Sequence, residues 1–239
     1  MAYDCKECSL SISCLPSVFD KNDTDKLDKI VSSSKSHHRQ QSIYHQGDAF
    51  QSLYVVKSGA VKTYITNSKG SENITGFYLP GDIFGLESIS TKHYLNTAKT
   101  LTESLVCRIN YQEIAILRKN SPTLSDWAIN LFSESLASGH DFFTCLSQHT
   151  AAARLASFLL VISKRTSRSE QYQRKFHLPM SRQDIADYLG LANETTSRAF
   201  TKLVEKKCIQ KMNKEIEILD LTLLQECSNL NLDSIKELN

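Results

Sequence analysis

The chain has 239 residues, 41% of them hydrophobic and 23% charged, which suits one or two folded domains and excludes disorder as the main description. The longest apolar run, 155–162, is far shorter than the roughly 18 residues of a membrane span, and the opening residues lack a signal-peptide profile, so a cytoplasmic protein without a membrane partner is expected. Net charge is only +2, yet residues 154–214 hold 13 Lys or Arg against 5 Asp or Glu, a local +8 that leaves −6 elsewhere and points to a polyanionic partner.

The seven cysteines are an odd count in a chain with no export signal, which favours metal-binding or redox thiols over structural disulfides. Cys5, Cys8 and Cys14 form C-x2-C-x5-C within ten residues, and three thiolates this close can face one metal centre once a fourth ligand arrives from elsewhere.

Six of the eight glycines then fall between Gly47 and Gly85, among short β-prone runs at 53–57, 61–66 and 73–78. This pattern predicts a β domain with tight turns, including a hairpin at 67–70 and corners at Gly47-Asp48 and Gly81-Asp82. Residues 104–110 alternate, with Leu105, Cys107 and Ile109 on one face, and should close the sheet. Cys107, on the expected inward side of that strand, is the best candidate for the fourth ligand. Zinc and an iron-sulfur cluster both accept four thiolates, and spacing does not separate them.

After Pro122 glycine nearly vanishes, and Ile129, Phe132, Leu136, Phe143 and Leu146 recur at heptad spacing with Gly139 at a seam position. A long helix follows, whose stripe can pack on its own domain, on a second copy, or on both with different faces. Shorter helices are expected at 151–163, 181–189 and 193–206, a strand at 215–219, and a loose terminal helix over 221–238. Ser181 precedes Asp184 at capping-box spacing, Gly190 stops that helix, and Asn193 is the expected N-cap of the next.

Only Gly190, Leu191 and Ala192 remain between the two helices, the tight connection of a helix-turn-helix. In that arrangement the first turn of the second helix reaches base edges. Glu194 can accept from cytosine N4, Arg198 can donate twice to guanine or hold a phosphate, and Thr195 and Ser197 suit a thymine methyl or a phosphate. Asn193, Lys202, Ser181 and Arg182 complete the candidate DNA contacts, with Lys206 and Lys207 further along the helix. Glu194 and Arg198 could instead form only a surface ion pair, but the tight turn, the polar face and the basic surroundings agree on DNA.

Residues 180–190, Met-Ser-Arg-Gln-Asp-Ile-Ala-Asp-Tyr-Leu-Gly, followed by Glu194-Thr195-Thr196-Ser197-Arg198, resemble the helix-turn-helix of the cyclic-AMP-receptor superfamily. Glu194, Ser197 and Arg198 resemble the E-x-x-S-R reader of its FNR (fumarate and nitrate reduction regulator) branch, whereas the cyclic-AMP branch carries Arg where Asn193 stands. The resemblance therefore implies a TTGAT-like half-site over TGTGA. Residues 5–16 are similar to the cluster loop of FNR proteins, and Cys107 falls where that family places its fourth ligand, which implies an oxygen-labile [4Fe-4S] cluster on Cys5, Cys8, Cys14 and Cys107. Similarity continues through 52–54, 57–59, 74–77 and 79–82. The cyclic-nucleotide branches need a Glu directly after the corner glycine, where this chain has Leu86, and an Arg-Ser pair that is missing between His93 and Thr100, so cyclic AMP is not expected as a ligand.

The expected fold class is α+β: a cyclic-nucleotide-binding-like β-roll, a long dimerisation helix and a winged helix-turn-helix. The expected domains are a cluster-binding loop at 1–20, the β-roll at 21–121, the dimer helix at 122–146 and the DNA-binding domain at 147–239. Ile129, Phe132, Leu136, Gly139 and Phe143 would form the homodimer interface, and RNA polymerase is a partner by family resemblance. The expected function is oxygen- or redox-responsive transcription regulation. The alternative is a regulator of the same superfamily sensing another small ligand, its cysteines binding zinc or acting as a thiol switch. Cys145, Cys208 and Cys227 have no spacing partner, His37-His38 reads as a solvated linker, and no grouping suggests an enzyme.

Overall fold

The computed structural model describes residues 5, 8, 10, 14, 30–68, 70–167 and 172–228. Strands β1 (Val31–His37), β2 (Ser42–Tyr44), β3 (Ser52–Ser58), β4 (Val61–Thr66), β5 (Glu72–Tyr78), β6 (Ile83–Phe84), β7 (Thr97–Thr100) and β8 (Ser104–Asn110) come first. They pair antiparallel in two four-stranded sheets, ordered β1-β8-β3-β6 and β2-β7-β4-β5. Tyr44, Val56, Val61, Phe84, Ala98 and Val106, drawn from both sheets, form one buried cluster and so fill the interior of a β-roll. Gly59 (φ +86) turns the chain from one sheet to the other, and a Cβ there would overlap Ser104 Oγ and the Glu103 carbonyl. The hairpin expected at 67–70 joins β4 to β5, with Gly70 N donating to the Asn67 carbonyl at 2.9 Å.

Side chains alternate across a strand, so the neighbours of the roll interior face the other way. Leu53 and Val55 of β3 and Ile109 of β8 join Ile30, Leu86, Ile114 and Leu124 in a second cluster, with Cys14, Cys107, Trp127 and Leu131 packed against it. Cys107 therefore lies on the outer face of its sheet, under helices, rather than in the roll interior where the alternation had placed it. Strand β8 sits between β1 and β3 instead of closing an edge. Strand β1 itself escapes periodicity because Val31-Ser32-Ser33-Ser34 has no apolar alternation. Its last residue corrects the linker reading: His37 is buried, and burial, then the charge of Lys35, push its imidazole below the ordinary value.

Helices α1 (Tyr111–Leu117), α2 (Pro122–Ser147) and α3 (Ala151–Thr166) follow, then β9 (Lys175–His177), α4 (Arg182–Leu189), α5 (Asn193–Glu205), β10 (Ile209–Met212), β11 (Glu215–Ile218) and α6 (Leu221–Ser228). Residues 1–135 and 136–239 form separate compact units, and α2 runs from one into the other. In the second unit α3 packs against α5 and α6, and α4 packs against α5. Leu155, Leu159, Ile162, Ile185, Leu189 and Leu203 are fully buried there. The three-stranded sheet β10-β11-β9 makes the wing. The terminal helix expected over 221–238 is seen as α6, and the rest of that span lies outside the described residues. Among the described residues no helix is long and apolar enough to cross a membrane.

Candidate functional site

The DNA-reading half is built from local signals. Ser181 Oγ accepts from Asp184 N at 3.0 Å while Asp184 Oδ2 accepts from Ser181 N at 2.9 Å, the reciprocal capping box the spacing predicted. Gly190 adopts φ 62, and its own N–H returns to the Ala186 carbonyl, which terminates α4. Arg154 reinforces the stop by donating to the Leu189 carbonyl at 3.1 Å. The N-cap of α5 is Ala192 rather than Asn193, which becomes the first helical residue; no side-chain cap bond forms there.

Helix α5 buries Thr196, Ala199, Phe200 and Leu203. The 3.6-residue period then turns Asn193, Glu194, Ser197, Arg198 and Lys202 outward, all of them exposed, with Thr195 half-buried beside them. Glu194 and Arg198 stand 3.7 Å apart at 80% and 71% side-chain exposure. A pair so open to water is worth little, so either partner can be given up to a base edge at small cost. Two of the expected contact residues have additional work. Ser181 is engaged in the capping box, and Arg182 stacks its guanidinium on the Phe200 ring, 3.1 Å from the centroid. Burial there pushes the Arg182 guanidinium down to about 10. The stack ties the first turn of α4 to the middle of α5, a role the sequence did not announce because the two residues lie eighteen positions apart.

The cysteine half depends on distant parts of the chain. Cys5, Cys8, Cys14 and Cys107 are each half-buried. The Cys107 thiol is pushed up to about 11, by burial first and then by the negative charge available on Cys14, Cys5 and Cys8, with Lys57 opposing. Cys14 and Cys107 pack against the same apolar cluster. Among the described residues, however, no group of three or more His, Cys, Asp or Glu side chains stands at metal-binding distances. Four thiolate sulfurs, from Cys5, Cys8, Cys14 and Cys107, would have as a donor set the softness that iron-sulfur clusters and zinc require.

The long helix presents the third element. Ile129, Phe132, Leu136 and Phe143 are exposed at 65%, 42%, 69% and 67%. A Cβ at Gly139 would meet nothing within 4 Å. Only Leu124, Trp127 and Leu131 of the first half of α2 pack on the cluster beneath β8.

A β-roll of the nucleotide-binding type followed by a winged helix-turn-helix defines a DNA-binding transcription regulator. Residues 34–121 match the cyclic nucleotide-binding domain, and residues 153–227 match the Crp-like helix-turn-helix domain. The chain is 38% identical to transcriptional activator protein FnrA of Stutzerimonas stutzeri over 216 residues, covering 90% of this chain and 88% of that protein. It is 33% identical to the fumarate and nitrate reduction regulatory protein of Vibrio cholerae over 233 residues, covering 98% and 93%. Its fold is similar to that of FixK2 from Bradyrhizobium japonicum, with a TM-score of 0.74 and 28% identity over 82% of this chain and 96% of that one. The chain belongs to the FNR branch of the cyclic-AMP-receptor/FNR regulator superfamily, whose members matched here are regulators and not enzymes.

Proposed function

We propose that this chain is an oxygen- or redox-responsive transcription regulator that acts in the cytoplasm as a homodimer on palindromic sites with TTGAT-like halves and engages RNA polymerase there. Relatives named for fumarate and nitrate reduction support the anaerobic setting. The observations that support the reading are the closely spaced Cys5, Cys8 and Cys14, and the packing of Cys14 and Cys107, the latter on a central strand, against one apolar cluster. These four residues would hold a [4Fe-4S] cluster, which when bound supplies an oxygen-labile link between the amino-terminal segment and β8.

The chain's own residues explain how such a link is felt at a distance. Cys14 and Cys107 pack on the same apolar cluster as Leu124, Trp127 and Leu131, so tethering the cysteines also orders the surface that seats the first half of α2. That half carries Ile129 and Phe132, the start of the exposed seam. Burying a Leu, Ile or Phe side chain contributes about 1.5–3 kcal/mol, and the four seam residues together can offset the cost of association. A homodimer through Ile129, Phe132, Leu136, Gly139 and Phe143 presents two copies of Glu194, Ser197 and Arg198 to successive major grooves, about 34 Å apart. A bias of about 3 kcal/mol between tethered and loosened states would change DNA occupancy roughly a hundredfold.

Cyclic AMP has no place in this scheme. Inside the roll Tyr44 stacks on Tyr94 at 3.8 Å and Tyr54 stacks on Phe84 at 5.4 Å, while Leu86 is buried in the second cluster outside the roll interior. Those rings occupy the interior with apolar surface.

The experiment is an absorption spectrum of protein purified without oxygen, with iron and sulfide analysis. A brown protein that bleaches in air, with iron and acid-labile sulfide in equal amounts, is expected. A colourless protein carrying stoichiometric zinc overturns the proposal.

A further inference from the structure

The two carboxy-terminal cysteines that have no spacing partner in the sequence do have one in the fold. Cys208 Sγ and Cys227 Sγ lie 3.7 Å apart, nineteen residues removed along the chain. Lys206 Nζ donates to the Cys227 sulfur at 3.8 Å. We propose that Cys208 and Cys227 form a peroxide-responsive dithiol in the DNA-binding domain, closing into an intramolecular disulfide in the presence of hydrogen peroxide and reopening with a thiol reductant.

The two sulfurs are unequally placed, which assigns their roles. Cys227, in the last turn of α6, is half-buried and therefore within reach of a small oxidant. The Lys206 ammonium beside it offsets negative charge on the attacking sulfur. Cys208 is fully buried, and its thiol is pushed up to about 11 by burial first, then by the hydrogen bond and charge of Cys227. It is shielded from solvent oxidant and reached by the other sulfur. In the first step the Cys227 sulfur attacks one peroxide oxygen, the O–O bond breaks, and Cys227 becomes a sulfenic acid as water departs. In the second the Cys208 sulfur attacks the sulfenic sulfur, the S–O bond breaks, and the Cys208 proton leaves with the hydroxyl as a second water. Two thiols are oxidised, one peroxide is reduced to two waters, and no further reactant is needed.

The required movement is small and falls on one side. A disulfide needs sulfurs about 2.05 Å apart, so the present separation must close by roughly 1.7 Å. The Cys208 backbone is fixed at both ends. Its N–H donates to the Leu203 carbonyl at 3.0 Å, and its carbonyl accepts from Leu219 N at 3.0 Å and Asp220 N at 3.3 Å. Cys227, one residue from the end of α6, would make the approach within a helix end held by the Ser157 Oγ bond to the Ser228 carbonyl at 3.4 Å. The bond would join α6 to the junction between the recognition helix and the wing, where Lys207 turns the chain at φ 59.

The test uses the full-length protein, purified anaerobically in reductant, desalted, exposed to about one equivalent of hydrogen peroxide, alkylated and cut with trypsin. Cleavage after Lys207, Lys211 and Lys214 places Cys208 and Cys227 on different peptides. The expected result is a joined pair of those peptides, two hydrogens lighter than their sum and separated by reduction. It should appear equally in wild type and in Cys107→Ser, so its outcome is distinct from that of any amino-terminal cluster. Cys227→Ser should lose the joined pair. Wild-type protein in which both peptides stay unlinked, or in which Cys227 is joined to another cysteine, overturns the proposal.

Discussion

The sensor region and the reading region of this protein are built on opposite plans. In the winged domain the information is local: Ser181 and Asp184 start a helix, Gly190 ends it, and Glu194, Ser197 and Arg198 follow within the first two turns of the next helix. In the first domain three cysteines lie close together in sequence, but the proposed fourth ligand, Cys107, sits on a central strand more than ninety residues away. The difference teaches that a DNA-reading face can be built by capping and periodicity alone, whereas the proposed four-thiol site would need a completed sheet to bring its last donor into place. The regional charges follow the same division, since the basic surplus belongs to the winged half.

The largest effect should come from the sensor's distant ligand. Cys107→Ser is expected to abolish both the visible absorption and promoter control in airless culture, while thermal unfolding of the β-roll changes little because the side chain is only half-buried. Retained colour and control would place the fourth ligand elsewhere. Next in size is the seam: Leu136→Glu puts like charges opposite each other in a dimer and should weaken association by about 3 kcal/mol, roughly a hundredfold. Sedimentation of anaerobic protein reads this, and an unchanged dimer would assign α2's exposed stripe to some other partner.

Smaller effects test the reading face. Glu194→Ala and Arg198→Ala should each cost about 1–3 kcal/mol on the cognate site and relax preference at one base position, measured against duplexes with single substitutions. Lys206→Ala should weaken binding to all sequences alike and reduce the salt slope by about 1. Equal losses on cognate and random DNA for all three would contradict the placement of α5.

The smallest effect lies in the roll. Glu72 bridges Lys62 at 2.7 Å and Lys99 at 3.2 Å. Burial pushes its carboxyl up, but the hydrogen bonds and charges of the two lysines outweigh that, and the net direction is down. A carboxylate lowered in the folded state adds stability above its unfolded value, near 4.3, and loses it as pH falls through the folded value. Wild type should therefore exceed Glu72→Gln by at most about 1 kcal/mol at neutral pH, after solvent screening, and the gap should shrink below about pH 4. A pH-independent gap would remove the ion pairs as its cause.

Much of the winged domain was legible because its signals act over three or four residues. The small departure at Asn193, displaced from N-cap into the helix by Ala192, changes no exposed side chain on the reading face. The β-roll was legible in its glycine turns and alternating runs but not in β1, whose serines carry no periodicity. The face of Cys107 was misassigned for a similar reason. Both faces of β8 are covered, one by the opposite sheet and one by helices, so alternation identified two sides without saying which was the roll interior.

The amino-acid sequence alone determined the family, the helix-turn-helix, the length of the seam helix and the candidate thiols, because each rests on residue identity at short spacing. Tertiary structure alone decided which sulfurs meet. It packed Cys14 and Cys107 on one apolar cluster, set Cys208 against Cys227, and laid Arg182 on Phe200. Such contacts depend on chain segments closing across strands and helices, and no local pattern records where two distant side chains will come to rest.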